Sequence, residues 1–536
     1  MNACIAKWPI AVPALLAAWS AAAVAEKSAE KNPWLADSTY ALPHSNSAQQ
    51  DATLIAGPLG RTRRLSPQEL DYVHLGPAHF GAFISGPYAD GRRVIWSNGL
   101  NGVYKLDHDS FRVLAHLAPE DVTKSYDEAE ADERIAWFDD SNEGLLALVK
   151  AARAGSMLRD LSGVYTMLDK DGRFYVGDKA RSVRAYGDAM EGKPDSPIVL
   201  KGRYDIPAPV TGNLIGINMT YDGWIVVATE HGYLVAISRD LKQSRWVRLP
   251  HAEVAEAASG RPGYGWIRNS FAIDRNNAIY VASRDHLHKV VWTGERLSVD
   301  ERDGAWSEPY PNTRGEGTGS TPVLMGFGEG EDHFVVFTDG NVLMNVTLMW
   351  RDAIPPEWKT LPGLPSRRIA ASAPATMGKL NLQAIQSEQA VVVAGYGALV
   401  VNNQPRNVPW FLPQRAVPLL ISFLGSSPRY QPYGAEKFQW NPQTRKLGLA
   451  WVAEQISSPS CVPMVSLGSR RLYLIGAREN QWTLEALNWD TGAEDFHWIV
   501  GGQRYNSLFA GTLLDQAGRI LYGTPWGRVR LRPEQP

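Results

Sequence analysis

A short polar segment near the N-terminus, Pro43-His-Ser-Asn-Ser-Ala-Gln-Gln-Asp51, places an imidazole and a carboxylate within eight residues of each other. Imidazole titrates near neutral pH and can transfer protons at a reacting centre. If this segment crosses the mouth of a ligand channel, we expect His44 and Asp51 to complete a metal site or an acid–base site. A solvated, turn-rich lead into the first folded unit is the alternative. His79, which precedes the first predicted strand, is the third candidate catalytic residue.

A second group of candidates consists of amide and hydroxyl side chains in or near the loops that precede predicted strands. Arg268-Asn-Ser-Phe271 and Tyr505-Asn-Ser-Leu508 are near repeats, so their residues are expected to occupy equivalent places. The predicted ligand-binding residues are Asn213, Asn218, Asn269, Ser270, Thr318, Ser320, Asn506 and Ser507. Oxygen ligands of this kind suit a calcium-type divalent cation, for which Glu388, Asn269 and Asn506 are the predicted ligands. Alternatively, these side chains satisfy backbone groups at strand starts.

Several chemistries lack their sequence signature. The chain has two cysteines, Cys4 and Cys461, so no disulfide scaffold or paired-cysteine zinc site is expected after removal of an N-terminal leader. The H-E-x-x-H, G-x-S-x-G, G-x-G-x-x-G and G-x-x-x-x-G-K-[ST] motifs are absent. A formal charge of −2 lacks the basic footprint of a nucleic-acid-binding protein, so we expect no such partner.

The elements that would position these residues are short antiparallel strands. Four hairpins, with turns near residues 171, 222, 276 and 517, place Asp, Gly or Asn between two apolar runs, and a further short strand follows each. The first three turns are about 50 residues apart, the period of a β-propeller blade. The sequence therefore predicts an all-β fold, a single β-propeller with eight blades, or seven as the alternative.

One segment carries a family resemblance. Leu484-Glu-Ala-Leu-Asn-Trp-Asp-Thr-Gly-Ala-Glu-Asp-Phe-His-Trp498 resembles the tryptophan-bearing repeat of eight-bladed quinoprotein-dehydrogenase-like propellers. In overall architecture the chain also resembles the lactonase and gluconolactonase-like propellers. The first resemblance implies a quinone-dependent oxidoreductase, and the second implies hydrolysis assisted by a calcium-type ion.

The domain organisation follows from these repeats. Residues 1–25 are predicted to be a signal peptide, because an apolar run ends in Ala-Val-Ala before charged residues. Residues 26–75 are predicted to form an N-terminal extension, of which residues 26–52 lie across one face and Thr53–Gly57 is a candidate ring-closing strand. Residues 76–536 are predicted to form the propeller. A helical insertion is expected at about 119–157 and a long loop or lid at about 404–434.

These features favour a secreted or periplasmic monomer with no membrane span in the mature chain. Its predicted function is to bind a small molecule in the central channel, with metal-assisted hydrolysis as the leading reaction. Quinone-dependent oxidation is one alternative. The other is a non-enzymatic binding or assembly protein of the cell envelope, for which an apolar patch of Trp410, Phe411 and Tyr433 would be a sign.

Overall fold

The computed structural model describes residues 27–120, 122, 125–140, 144–156, 165–178, 180–254, 266–412 and 417–533. The predicted signal peptide lies outside these residues. The described chain forms eight sheets. In blades 1 to 7 the blade strands are antiparallel and follow one another in chain order from the axis outward, whereas blade 8 takes its outermost strand from residues 70–74. Two short strands, Ala52–Thr53 and Arg63–Arg64, add in parallel to the two edges of the blade 7 sheet. This confirms a single eight-bladed β-propeller.

The strands of each blade are given from the innermost strand outward. Blade 1 contains Phe83–Ile84, Val94–Gly99, Gly102–Asp107 and Val113–Leu117, and blade 2 contains Thr166–Leu168, Phe174–Gly177, Ser182–Asp188 and Ile198–Asp205. Blade 3 contains Leu214–Met219, Ile225–Thr229, Tyr233–Ile237 and Ser244–Arg248. Blade 4 contains Ala272–Ile273, Ala278–Ala282 and His286–Trp292, and two short strands, Leu297–Ser298 and Trp306–Pro309, share its outer position. Blade 5 contains Val323–Met325, Phe334–Thr338, Asn345–Trp350 and Ile369–Pro374, and blade 6 contains Val392–Ala394, Gly397–Val401, Ala435–Asn441 and Lys446–Ala453. Blade 7 contains Met464–Ser466, Arg471–Arg478, Gln481–Asn488 and Glu494–Gly501. Blade 8 contains Leu513–Leu514, Ile520–Thr524, Gly527–Leu531 and Leu70–His74.

An aspartate at the end of the innermost strand builds the turn that the sequence repeats. In blade 2, Asp169 Oδ1 accepts the backbone N–H groups of Asp171 and Arg173, and Oδ2 accepts the hydroxyl of Tyr175 at 3.0 Å. Asp274 makes the same contacts in blade 4, including the Tyr280 hydroxyl at 2.9 Å. Aspartate side chains favour such turns because they satisfy backbone donors that the tight reversal leaves unpaired.

The ring closes with a different strand from the one predicted. Leu70–His74 pairs antiparallel with Gly527–Leu531 as the outermost strand of blade 8, so the chain's beginning and end share one sheet. Asp71 forms ion pairs across this junction with Arg530 at 2.6 Å and Arg532 at 2.7 Å. The prediction of Thr53–Gly57 was wrong: Ala52–Thr53 pairs in parallel with the innermost strand of blade 7.

Helices occur between blades 1 and 2 and inside blade 6. The predicted helical insertion contains α1, Glu128–Asp140, and α2, Gly144–Ser156. Residues 404–434, predicted as a long loop, contain a third helix, α3, Val417–Leu424. The three helices share one apolar cluster, in which Phe138 of α1 stacks on Phe423 of α3 at 5.5 Å between ring centroids. Among the described residues, no helix has both the length and the apolar character needed to cross a membrane.

The tryptophan-bearing segment of blade 7 forms two outer strands and their turn. Trp489 is fully buried at this turn, where its carbonyl accepts the Trp451 indole N–H at 3.0 Å and the Lys437 ammonium at 2.9 Å. The Lys437 ammonium also lies 4.0 Å from the centre of the Trp489 ring. Trp451 and Lys437 belong to blade 6, so this repeat stabilises the contact between neighbouring blades.

Gly523 marks how closely the last blade approaches the first. A Cβ atom on Gly523 would lie 1.7 Å from the carbonyl oxygen of His79. We expect Gly523→Ala to lower the free energy of unfolding by about 3 kcal/mol, because backbone on both sides must move. Gly448→Ala is the matched control, since a Cβ there meets nothing within 4 Å. Urea denaturation measures both, and equal midpoints for the two variants would contradict this account of the junction.

Candidate active site

Residues 40–51, here called the axial segment, run along the centre of the propeller. Carbonyl oxygens of Tyr40, Ala41, Ser47, Ala48, Gln50 and Asp51 accept N–H groups of Ile84, Leu168, Ile273, Leu324, Val393 and Val465, at 2.7 to 3.0 Å. These donors belong to the innermost strands of blades 1, 2, 4, 5, 6 and 7. In blade 3 the side-chain amide of Asn218 donates to Ser47 O at 3.1 Å. The extension therefore does not lie across one face as predicted, because the free edges of the innermost strands offer it hydrogen bonds along the axis.

A cavity of about 320 Å³ lies above the axial segment, where the innermost strands begin. Its floor is formed by Tyr40, Pro43 and His44, and Pro418 of α3 contributes from the lid. Loops of seven blades supply the walls, namely Phe80, Gly81 and Phe83; Tyr165; Arg268 and Asn269; Gly319 and Thr321; Glu388, Gln389 and Ala390; Val462; and Phe509 and Gly511. Most of this lining is apolar or aromatic with a few polar groups, which is the usual composition of a small-molecule site.

His44 and Asp51 meet beside this cavity. His44 Nδ1 lies 2.8 Å from Asp51 Oδ2, and both residues are buried. The His44 carbonyl accepts the Asp51 N–H, which closes the segment into a loop and brings the two side chains together. Burial raises the pKa of Asp51, and His44 opposes that rise. The Nε2 atom of His44 has no hydrogen-bond partner in the described part of the chain, so it remains available to a molecule in the cavity.

The loop that holds this pair has an unusual backbone. His44, Ser45, Gln49 and Asp51 all have positive φ angles, of 61°, 69°, 64° and 52°. Residues with side chains rarely adopt this left-handed conformation, and a cluster of them persists only where surrounding contacts hold it. Here the carbonyl contacts to the innermost strands hold it, so the His44–Asp51 geometry is fixed by the propeller itself.

The only charged side chains in the cavity wall, among the described residues, form one ion pair. Arg268 Nη2 lies 3.0 Å from Glu388 Oε2, linking the loops of blades 4 and 6. Asn269 also lines the cavity, and its Nδ2 donates to the Thr318 carbonyl at 3.2 Å. Of the predicted site residues, the structure therefore brings His44, Asn269 and Glu388 to one cavity, with Asp51 directly behind His44.

The remaining predicted ligand-binding residues do not line the cavity. Asn213 Nδ2 donates to Glu230, Asn218 Nδ2 also donates to Phe271 O, and Ser507 contacts Ser460 at 3.3 Å. Thr318, Ser320 and Thr338 bond to one another, and Asn506 Nδ2 donates to Ser422 O of α3. Ser270 is buried, and its hydroxyl has no partner among the described residues. Most of these contacts match the alternative in which such side chains satisfy local polar groups.

His79 is buried between blades 1 and 8 rather than in the cavity wall. Its Nδ1 lies 2.7 Å from Ser97 Oγ, and its Nε2 lies 2.9 Å from Leu75 O, so both ring nitrogens are engaged. Burial, together with the smaller effect of the nearby Arg528, lowers the pKa of His79 to about 3. The contacts describe a structural histidine, and a catalytic role stays a prediction.

This low pKa predicts acid sensitivity. Between the ordinary value of about 6.5 and the folded value, the unfolded state binds a proton that the folded state excludes. Stability is therefore complete above pH 6.5 and falls as the pH decreases. From pH 7.5 to 5.0 we expect the wild type to lose about 2 kcal/mol more than His79→Gln, whose amide can make the same two hydrogen bonds. Urea titrations at both pH values measure this difference, and parallel losses would contradict the assignment.

The predicted calcium-type site does not fit the contacts. The Glu388 carboxylate is already neutralised by Arg268, and Asn506 lies outside the cavity lining with its amide bonded to α3. Elsewhere, Glu485, Glu494 and His497 of blade 7 have ligand atoms within 4.8 Å of one another. Arg478 contacts both carboxylates, at 2.6 and 2.8 Å, and so already supplies the cation there.

Comparison with known proteins identifies a relative. An uncharacterised protein of Archaeoglobus fulgidus is 32% identical over 503 residues, which cover 92% of this chain and 87% of the archaeal one. The chain belongs to the same family as this archaeal protein. No protein-family model matches.

Two solved structures are similar to this chain at low sequence identity. Quinohemoprotein alcohol dehydrogenase from Comamonas testosteroni matches with a TM-score of 0.51 and 10% identity, over 93% of this chain and 78% of that one. The quinohemoprotein alcohol dehydrogenase of Pseudomonas putida HK5 matches with a TM-score of 0.47 and 11% identity, over 91% and 76%. The first likeness supports the propeller fold alone and carries no residue-level function.

Sequence reasoning missed several residues of the cavity. Tyr40, Phe80, Phe83 and Phe509 form aromatic walls, and Gln389 adds a buried amide. Their sequence signal was weak because they come from separate parts of the chain: Tyr40 from the axial segment, Phe80 and Phe83 from the start of blade 1, Gln389 from the loop before blade 6 and Phe509 from the loop before blade 8. Gln389 directly follows Glu388 in such a loop, so equivalence between blades was the one clue that could have found it.

Proposed function

We propose that the protein binds a small molecule in the axial cavity and hydrolyses it, with His44 as the general base. The observation that carries this proposal is the His44–Asp51 pair, in which one ring nitrogen is held at 2.8 Å by a buried carboxylate and the other has no partner among the described residues. A base held in one orientation at a ligand cavity is the arrangement that proton transfer requires.

In this proposal, Asp51 is the positioning residue. Its carboxylate accepts the Nδ1 proton of His44, which leaves the Nε2 lone pair to take a proton from water. The water oxygen then attacks the bound molecule, and the protonated imidazole returns its proton to the leaving group. No step uses a metal ion, because the predicted ligands Glu388, Asn269 and Asn506 do not form a set that fits one.

The test is turnover by the purified full chain. Three classes of hydrolysable probe are suitable: 4-nitrophenyl acetate, 3,4-dihydrocoumarin and 4-nitrophenyl phosphate. We expect hydrolysis of at least one, with the rate unchanged after dialysis against EDTA. Hydrolysis that is lost after dialysis against EDTA and restored by calcium would contradict this mechanism and support metal-assisted hydrolysis. No turnover of any probe above the rate of the His44→Asn variant would overturn the proposal.

A quinone-dependent oxidoreductase is less well supported by the cavity. The likeness to quinohemoprotein alcohol dehydrogenase is a likeness of fold. A quinone carrying several carboxylates needs several cations, whereas the described lining contains one arginine, already paired with Glu388. An absorption spectrum of the protein mixed with pyrroloquinoline quinone tests this alternative directly.

An envelope-binding role is the second candidate, and an exposed aromatic pair favours it. Trp410 is 95% exposed and Phe411 53% exposed, close to α3, whereas Tyr433 is half-buried under Arg406. As part of this proposal, the protein is a secreted or periplasmic monomer that binds no nucleic acid. Turnover abolished by His44→Asn would exclude a purely structural role.

A further inference from the structure

The lining of the axial cavity is divided into a polar wall and an apolar wall. Blades 4, 5 and 6 supply the polar wall, with Arg268 and Asn269 from blade 4, Thr321 from blade 5 and Glu388 from blade 6. The apolar wall comes from the beginnings of blades 7, 8 and 1 and consists of Val462, Phe509, Gly511, Phe80, Gly81 and Phe83. In a ring of eight blades, blades 8 and 1 lie opposite blades 4 and 5. A bound molecule therefore meets charged and polar groups on one side and aromatic surface on the other.

The Arg268–Glu388 ion pair is the charged part of the polar wall, and a ligand can reach it. Arg268 Nη2 and Glu388 Oε2 are 3.0 Å apart, and the two side chains keep 31% and 17% of their surface exposed. Both residues line the cavity. A guanidinium group carries only hydrogen-bond donors, and an ionised carboxylate carries only acceptors. A group that reaches this pair therefore meets donors and acceptors side by side.

The charges of the polar wall balance. Arg314 Nη1 lies 4.0 Å from Glu388 Oε1, and Arg314 Nη2 lies 3.1 Å from Glu316 Oε2. With Arg268, this network contains two arginines and two glutamates. A ligand with a net charge would leave its own charge, or one charge of this partly buried network, without a partner, which is costly away from water. An uncharged head group avoids that cost.

Two buried charges behind the lining also oppose each other. Asp51 lies beside His44, and Arg528 Nη2 donates to the carbonyl oxygen of Gly81 in the apolar wall. Both affect Tyr40 in the cavity floor: burial raises the pKa of Tyr40, Asp51 raises it further, and Arg528 opposes the rise. These buried groups therefore supply no single sign of charge that would attract an ion.

We propose that the cavity binds an uncharged amphipathic molecule whose apolar body lies against blades 7, 8 and 1. Its head places a hydrogen-bond acceptor next to a donor, as a primary amide does. Arg268 donates to the acceptor and Glu388 accepts from the donor, so this pair determines which ligands bind. The inference rests on the proposed function only in taking the cavity as the ligand site, because it requires no step by His44. The volume of about 320 Å³ accommodates an aromatic ring with such a head.

The test uses three probes that share a phenyl ring on a three-carbon chain and differ in the head group. They are 3-phenylpropanamide, 3-phenylpropanoate and 3-phenylpropylammonium, which are uncharged, anionic and cationic at neutral pH. Isothermal titration of the full chain measures each dissociation constant, and none of the probes is an ester or a lactone. We expect the amide to bind roughly 10-fold more tightly than either ion, a difference that one well-placed hydrogen bond to a charged group supplies.

Removing one charge at a time should reverse this preference. In Glu388→Gln the pair keeps only its cation, so we expect 3-phenylpropanoate to bind most tightly, by roughly 10-fold over the ammonium probe. In Arg268→Gln the pair keeps only its anion, and the ammonium probe should bind most tightly. The double variant Arg268→Gln, Glu388→Gln is balanced again, and both ions should bind weakly. Glu454→Gln is the matched control, because Glu454 pairs with Lys379 at 2.6 Å outside the cavity lining, and it should keep the wild-type order.

Each result decides one claim. An ion that binds the wild type as tightly as the amide would overturn the inference, as would failure of all three probes to bind, and neither result requires a variant to fold. An order of affinities that stays the same in both single variants, shown to be folded by circular dichroism, would overturn it as well. Selective binding of the amide by a protein that hydrolyses no ester would support the ligand class and defeat the proposed hydrolysis. Hydrolysis that depends on His44, without selection among the three probes, would do the opposite.

Discussion

Replacing His44 by Asn is expected to lower the rate of ester or lactone hydrolysis at saturating substrate by about 10²- to 10⁴-fold, the usual contribution of a general base. Asn is the suitable replacement because it tolerates the left-handed backbone, with φ of 61°, that residue 44 adopts. Its amide can still donate toward Asp51, but it cannot accept a proton from water. The Michaelis constant should change far less than the turnover number, as measured by initial rates.

The matched control is a second histidine–aspartate pair, which does not line the cavity. His333 Nδ1 lies 2.7 Å from Asp352 Oδ2, but its Nε2 is already engaged by the carbonyl of Gly328 at 2.8 Å. We expect His333→Asn to leave turnover unchanged. Equal losses in the two variants would mean that the effect comes from stability, and unchanged turnover in His44→Asn would contradict the assignment of the base.

Asp51→Asn separates positioning from structure. The amide would present its own donor to His44 Nδ1 and force the ring into the other tautomer, so that Nε2 carries the proton. Because His44 and Asp51 act as a unit, the turnover number of the double variant His44→Asn, Asp51→Asn should be about equal to that of the slower single variant. Additive losses would indicate that Asp51 affects the fold and not the base.

Deleting residues 27–51 is expected to have the largest effect on stability. The axial segment supplies acceptors to the N–H groups of six innermost strands, from blades 1, 2, 4, 5, 6 and 7. Each buried N–H left unpaired costs about 1–3 kcal/mol. Six of them approach the whole free energy of unfolding, which is about 5–15 kcal/mol for most domains. We expect the deleted protein to be unfolded or to melt far below the full chain, as seen by circular dichroism and amide hydrogen exchange.

Adding the missing segment as a separate peptide provides the control. A synthetic peptide of residues 27–51 should restore protection at Ile84, Leu168 and Val465, because their acceptors return without a covalent link. Intact melting behaviour of the deleted protein, with protected innermost strands and no peptide, would show that the blades hold together without this segment.

The repeating part of the fold could be predicted because the hairpin of a blade has a recognisable pattern within a short stretch of sequence. Asp169 and Asp274 each precede a tyrosine by six residues, and the structure shows the same turn and the same hydrogen bond in both blades. Such a pattern lies within a dozen residues and needs no knowledge of the rest of the chain. The eight blades and the outer strands around Trp489 follow from it.

The predictions that were wrong concern segments whose pairing partners are far away in the sequence. Thr53–Gly57 is more apolar than Leu70–His74. Leu70–His74 nevertheless closes the ring, because its backbone pairs antiparallel with Gly527–Leu531 and Asp71 forms an ion pair with Arg530. The position of the axial segment rests on backbone carbonyls, which carry no residue-specific signal. His44 and Asp51 could be chosen from their chemistry, but their 2.8 Å contact depends on four left-handed residues that no periodicity reveals.

The closing strand also has a consequence for how the protein is made. Residues 40–74 leave the ribosome before any blade has been synthesised, but the partner of Asp71 across the closing sheet, Arg530, is 459 residues away. The strand Leu70–His74 must therefore wait, unpaired, until translation of the last blade is finished. Contacts of such sequence separation make folding slow and leave strand edges open to wrong partners in the meantime. Holdase chaperones acting on the nascent chain would be most needed at Leu70–His74, which is made before the blades and pairs only with the last of them.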